Sequence, residues 1–116
     1  MFEYAYFKEN LMGNSKEMVE FLSKFRKFFE AGIVRELAFT SGGLSFFAVR
    51  EPILLAVRAQ GDIGDAKFHA LKLLEELGYV DKEAYNLEEV FKFVEKIEQM
   101  PLEEFLKEMK RLREQI

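Results

Sequence analysis

The stretch Val34 to Ala59, VRELAFTSGGLSFFAVREPILLAVRA, holds three apolar runs parted by two short breaks. Val34 to Thr40, Leu44 to Arg50 and Ile53 to Ala59 are each strand-sized and rich in β-branched, aromatic or aliphatic residues. Ser41-Gly42-Gly43 joins the first two as a tight hairpin, because adjacent glycines supply the positive φ angles that such turns require. Arg50-Glu51-Pro52 joins the next pair and puts Pro52 at a strand start, where its missing N–H costs least. Ser45 to Val49 and Ile53 to Val57 are apolar on both alternating faces, so this part of the sheet has to be covered on both sides. A meander sandwiched between helices is therefore the expectation.

Upstream, Phe2 to Phe7 is aromatic with period-two character, Phe2, Tyr4 and Tyr6 sharing one face, and reads as a strand. Lys8-Glu9-Asn10 turns the chain into a very short return strand at Leu11-Met12, broken by Gly13 and Asn14. Asn14-Ser15-Lys16-Glu17 then resembles a helix start with a capping box. In the helix that follows, Met18, Leu22, Phe25 and Phe29 recur at spacings of three and four with Phe21 and Phe28 beside them, and Gly32 marks its end. All of these phenylalanines read as core.

Downstream, Asp62-Ile63-Gly64-Asp65 opens a second long helix, either aspartate being suited to cap free N–H groups. Its apolar stripe is Ala66, Ala70, Leu73, Leu74 and Leu77, and Gly78 stops it, with Tyr79 and Val80 folding back on the last turn. Asn86-Leu87-Glu88-Glu89 starts a third helix with Val90, Val94 and Ile97 inward. Pro101 interrupts it and suits the first turn of a fourth. There Leu102, Phe105, Met109, Leu112 and Ile116 repeat at a three-four spacing that serves equally for packing on the chain's own sheet and for meeting a partner helix, so they form the candidate partner interface. The fold class expected is α/β (α+β), with an antiparallel sheet of four or five strands, helices on both faces and the order β-β-α-β-β-β-α-α-α. Residues 1–116 read as a single domain, with 86–116 a C-terminal helical pair.

Composition narrows the function. The 116 residues contain no cysteine, which excludes disulfides, thiolate metal sites and cysteine nucleophiles, and makes the cytoplasm the simplest compartment. The opening Met1-Phe2-Glu3-Tyr4 has no leader pattern, and no apolar run approaches bilayer length, so no membrane insertion is expected. A formal charge of −4 removes the footprint of a nucleic-acid binder. Lys24-Arg26-Lys27 reads as a solvated helix face. Abundant Lys and Glu with few Asn, Gln and no Trp resembles the composition of thermophile proteins.

No catalytic constellation emerges. His69 is the single histidine, and nothing at a converging spacing would complete a triad or a metal site with it. Asp62 and Asp65 are explained as helix caps, and Gly61-Asp62-Ile63-Gly64 puts carboxylates where a phosphate loop would receive its ligand. Ser41-Gly42-Gly43 lacks the strand-to-helix setting of a nucleophile elbow. No catalytic residue, cofactor site or metal site is therefore assigned, and the chain reads as a non-enzyme. An active site borrowing a partner subunit's groups beside Asp62 and Lys67 is the competing enzymatic reading.

Arg35-Glu36-Leu37-Ala38-Phe39, the Gly42-Gly43 turn, Phe46-Phe47-Ala48-Val49 with Ile53-Leu54-Leu55-Ala56-Val57, and Gly61-Asp62-Ile63-Gly64 opening a helix together resemble the roadblock and longin group of small regulatory domains, a profilin-like arrangement. The resemblance lies mainly in element order. It departs from the roadblock pattern in lacking an initial helix and in adding two C-terminal ones. It implies a non-catalytic dimerising or scaffolding domain that works with small GTPases or as a subunit of a trafficking or motility complex. The function expected is thus a protein-interaction domain whose partner is another protein or itself, with no nucleic acid. The alternative is a sensory domain with an aromatic-lined pocket for a small apolar molecule.

Overall fold

A computed structural model of the chain describes residues 2–80, 100–104, 106, 107 and 111. Seven elements follow in order: β1 (Glu3–Phe7), β2 (Leu11–Gly13), α1 (Lys16–Glu30), β3 (Glu36–Ser41), β4 (Leu44–Val49), β5 (Leu54–Gln60) and α2 (Ile63–Glu76). The strands form one antiparallel sheet in the order β2-β1-β5-β4-β3. This is the α+β architecture read from the sequence, with five strands. The third helix expected from Asn86 lies outside the described residues, as do Phe105, Met109, Leu112 and Ile116.

Local chemistry sets the boundaries. Ser15 caps α1, its side chain accepting from the Met18 N–H. At the other end Gly32 takes φ +76°, and the N–H groups of Ile33 and Val34 both donate to the Phe28 carbonyl. Those two residues are consumed in closing the helix, so β3 begins at Glu36 and not at Val34. Gly42 and Gly43, at φ +58° and +78°, make the two-residue hairpin between Ser41 and Leu44. Asp62 and Asp65 form a reciprocal capping box at the start of α2. Gly13 meets a different demand: a Cβ there would lie 2.4 Å from the Tyr4 carbonyl oxygen, so only glycine lets β2 close on β1.

Two apolar layers sit on opposite faces. On one, α1 covers Ala5, Leu54 and Ala56 with Met18, Leu22 and Phe29, and Phe46 and Ala48 adjoin them. On the other, α2 lays Ala66, Ala70, Leu71 and Leu74 on Phe47, Val49, Leu55 and Val57. Leu102 completes this second layer and is fully buried. The helical stretch Leu102 to Glu104 is fixed there by the Leu102 N–H donating to Glu36 Oε1 at 2.6 Å and by an ion pair between Arg35 and Glu103. Leu71 is as buried as any residue of α2, although the expected stripe omitted it, and Lys67 is buried too, its ammonium donating to the Met100 carbonyl beside the Phe47 ring.

Leu22→Ala should lower the unfolding free energy by about 2–5 kcal/mol, the range for emptying a packed aliphatic site. Phe25→Ala, at a ring left 42% exposed, should cost about 1 kcal/mol or less. Urea titration of both variants checks the contrast.

Candidate functional site

The two helices do not cover the same half of the sheet. α1 packs on β1, β2 and β5, whereas α2 packs on β5, β4 and β3. On the α1 face, neither described helix packs on the part made by β4 and β3. The register puts Leu37, Phe39 and Ser41 on that face, beside Ala48, Phe46 and Leu44. Leu37, Phe39 and Leu44 are exposed there, Phe39 to 47%, and Phe46 alone of the larger side chains is covered.

The neighbouring flank of α1 supplies a wall of rings. Phe21 meets Phe46 edge-on at 4.6 Å, stacks on Phe25 at 4.7 Å, and Phe25 lies 5.9 Å from Phe28. Phe39 stacks on Phe46 at 4.9 Å and carries the series across to the outer strand. Phe28 is 45% exposed and Ile33, just beyond the helix end, 72%. The reading of all four helix phenylalanines as core is corrected in two places: Phe29 is buried and Phe21 half-buried, but Phe25 and Phe28 face out along the open half-sheet.

At the hairpin end the open face deepens into a cleft of about 360 Å³ lined by Met18, Phe21, Phe39, Leu44, Phe46 and the Arg58 guanidinium. Arg58 is already engaged. Its Nε and one terminal nitrogen donate to the two carboxylate oxygens of Glu3, and its other terminal nitrogen lies 2.7 Å from Glu17. The hydrogen bond from Arg58 holds the Glu3 carboxyl below its ordinary range, and the two carboxylates raise Arg58 further above its own. With one guanidinium between two carboxylates, the cluster offers no free positive charge to an anion.

The residues considered for chemistry stand elsewhere and apart. His69 stacks on Phe2 at 4.5 Å, and burial pushes its pKa below the ordinary value. Asp62 and Asp65 are occupied as caps, and Ser41 is at a hairpin. Among the described residues no group of His, Cys, Asp and Glu is placed to hold a metal ion, and no helix is long and apolar enough to cross a membrane. Of the candidate interface residues, Leu102 is placed in the chain's own core, on the face opposite the open half-sheet.

Comparison with known proteins gave no match. That holds for family models, for curated proteins and for solved structures alike. The exposed rings are therefore read on their own geometry. Helical spacing alone does not separate the buried Phe29 from the exposed Phe25 and Phe28; the signal that does is the length of the sheet, whose fifth strand leaves one helix unable to reach across.

The Glu3 pairing carries a pH dependence. A carboxyl with a depressed folded-state pKa contributes stability that is complete above its unfolded value, near 4.5, and is lost as the pH falls through the depressed value. Glu3→Gln should therefore be less stable than the parent at neutral pH, and the difference should shrink to nothing in acid below the Glu3 titration. Thermal melts of both chains across that range measure it.

Proposed function

We propose that this chain is a non-catalytic protein-interaction domain that receives a protein partner on the open half-sheet of β3 and β4. The carrying observation is that β3 is an edge strand whose exposed face is apolar. Edge strands are ordinarily guarded by charge, proline, a bulge or extreme shortness. β2, at the opposite edge, is three residues long. β3 runs six residues in unbroken register with β4, without proline, and turns Leu37, Phe39 and Ser41 to its open face. An apolar patch of linked aromatic side chains that ends on a strand without a further sheet neighbour among the described residues has the anatomy of an interface, where Phe and other rings supply contact area and the strand supplies directional bonds. Such a role accords with the scaffolding and small-GTPase-linked functions that the roadblock and longin resemblance implies.

The competing reading, a pocket for a small apolar molecule, draws on the same cleft. Its rings suit an apolar molecule, while Arg58, committed to Glu3 and Glu17, leaves no charged anchor for one that also carries an acidic group. A protein surface needs no such anchor.

Replacing Phe39 with a photo-activatable phenylalanine derivative in the producing cell should give discrete protein adducts, while the same replacement of Met12 at the other edge should give none. Native mass spectrometry of the purified chain provides the contrary result: a bound small molecule, lost on Phe39→Lys, with no protein adduct at Phe39, would favour the pocket.

A further inference from the structure

We infer that the cleft at the hairpin end receives an apolar side chain of the protein partner that has a lysine or arginine next to it in sequence, the apolar group seated among the rings and the cation on Glu17. The inference rests on the interaction reading above and adds the chemistry of the segment that docks.

Shape and lining set the first half. Met18, Phe21, Phe39, Leu44 and Phe46 surround the cleft, and its volume of about 360 Å³ stands near the lower end of the range for ligand sites, room for one large side chain. Phe39 and Leu44 are exposed at its edge while Phe46 is buried beneath them, so a ring or branched aliphatic group entering there takes apolar area on both partners out of water.

Charge sets the second half. Among the described residues the charged side chains that line the cleft are Glu17 and Arg58, and Arg58 also holds Glu3. Two carboxylates on one guanidinium leave a surplus of one negative charge. Glu3 engages Arg58 with both oxygens and accepts a further bond from Ser15, whereas Glu17 meets Arg58 through one oxygen, and its other oxygen has no partner among the described residues. The surplus is therefore presented at Glu17, whose side chain is 72% exposed. A lysine or arginine meeting it there keeps much of its hydration, so the pair forms without the desolvation penalty of a buried one. An acidic residue in the same place would face Glu17 with Arg58 already taken, and the formal charge of −4 on the chain disfavours acidic segments in general.

Three probes that share a ring and differ in charge test the preference: phenethylamine, phenethyl alcohol and phenylacetate, each titrated into the full chain and followed by the amide resonances of Met18, Leu44 and Phe46. The amine should bind about two- to fivefold more tightly than the alcohol, as an exposed ion pair yields, and the carboxylate least tightly. Glu17→Gln leaves one carboxylate against one guanidinium, so the amine's advantage should vanish, as it should in concentrated salt. Glu20→Gln changes the net charge equally from a position on α1 outside the cleft lining, and should keep the advantage. In the producing cell, the adducts of photo-activated Phe39 should map to partner sites where an apolar residue adjoins lysine or arginine. Equal binding of the three probes, tighter binding of the carboxylate, no movement of those resonances with any probe, or adducts at sites without a basic neighbour overturns the inference. In the last case the interaction reading stands alone. If the amine binds selectively and no protein adduct forms, that reading falls, and with it the protein source of the cation.

Discussion

A helix is about 10 Å across and a strand about 4.8 Å, so one helix covers two or three strands of a sheet and no more. In this chain that mismatch of widths governs everything else. β5 lies at the centre of the sheet, with Leu55 and Val57 on one face and Leu54 and Ala56 on the other all buried. Each helix takes β5 and then goes its own way, α1 towards β1 and β2, α2 towards β4 and β3. The two quarters that neither described helix covers are diagonally opposed. One of them, on the α2 face of β1, is filled by Phe2, Tyr4 and Tyr6 with His69 stacked in, and Tyr4 and Tyr6 run parallel at 6.2 Å. The other, over β3 and β4, has rings but no covering helix among the described residues.

Both quarters are aromatic, and what separates them is which rings carry a polar group. Tyrosine carries a hydroxyl that can remain wet while its ring packs, and Tyr6 donates its hydroxyl to the Met12 sulfur. Phe25, Phe28 and Phe39 have no polar tip, so their exposed rings gain no such hydrogen bond. The Arg58 cluster bounds the same region at one end. It joins β5, β1 and the start of α1 through Glu3 and Glu17.

The sheet and helices could be read from the sequence because their local signals agree. Two-faced apolar alternation around Phe46-Phe47-Ala48-Val49, the Gly42-Gly43 hairpin and the Asp62 cap all point to one arrangement. What could not be read was any property that depends on how elements are laid side by side. Periodicity gives a strand's two faces but not its place in the sheet, so nothing in Glu36 to Ser41 announced an edge. A three-four stripe places Phe21, Phe25 and Phe28 on one flank without saying whether that flank meets a sheet or its rim. Lys67 is a further case, since an amphipathic pattern assigns lysine outward, whereas the return of the chain at Met100 gives its ammonium an acceptor inside. Leu102, read within a seam open to either partner, turned inward for the same reason.

Glu36 holds two positions at once. Its main chain belongs to the outermost strand, while its carboxylate receives the Leu102 N–H and so secures the segment beyond Pro101. The outer strand and that distant segment therefore share a bond, and any coupling it carries acts equally in both directions. One carboxylate thus ties the rim of the sheet to a segment 66 residues further along the chain.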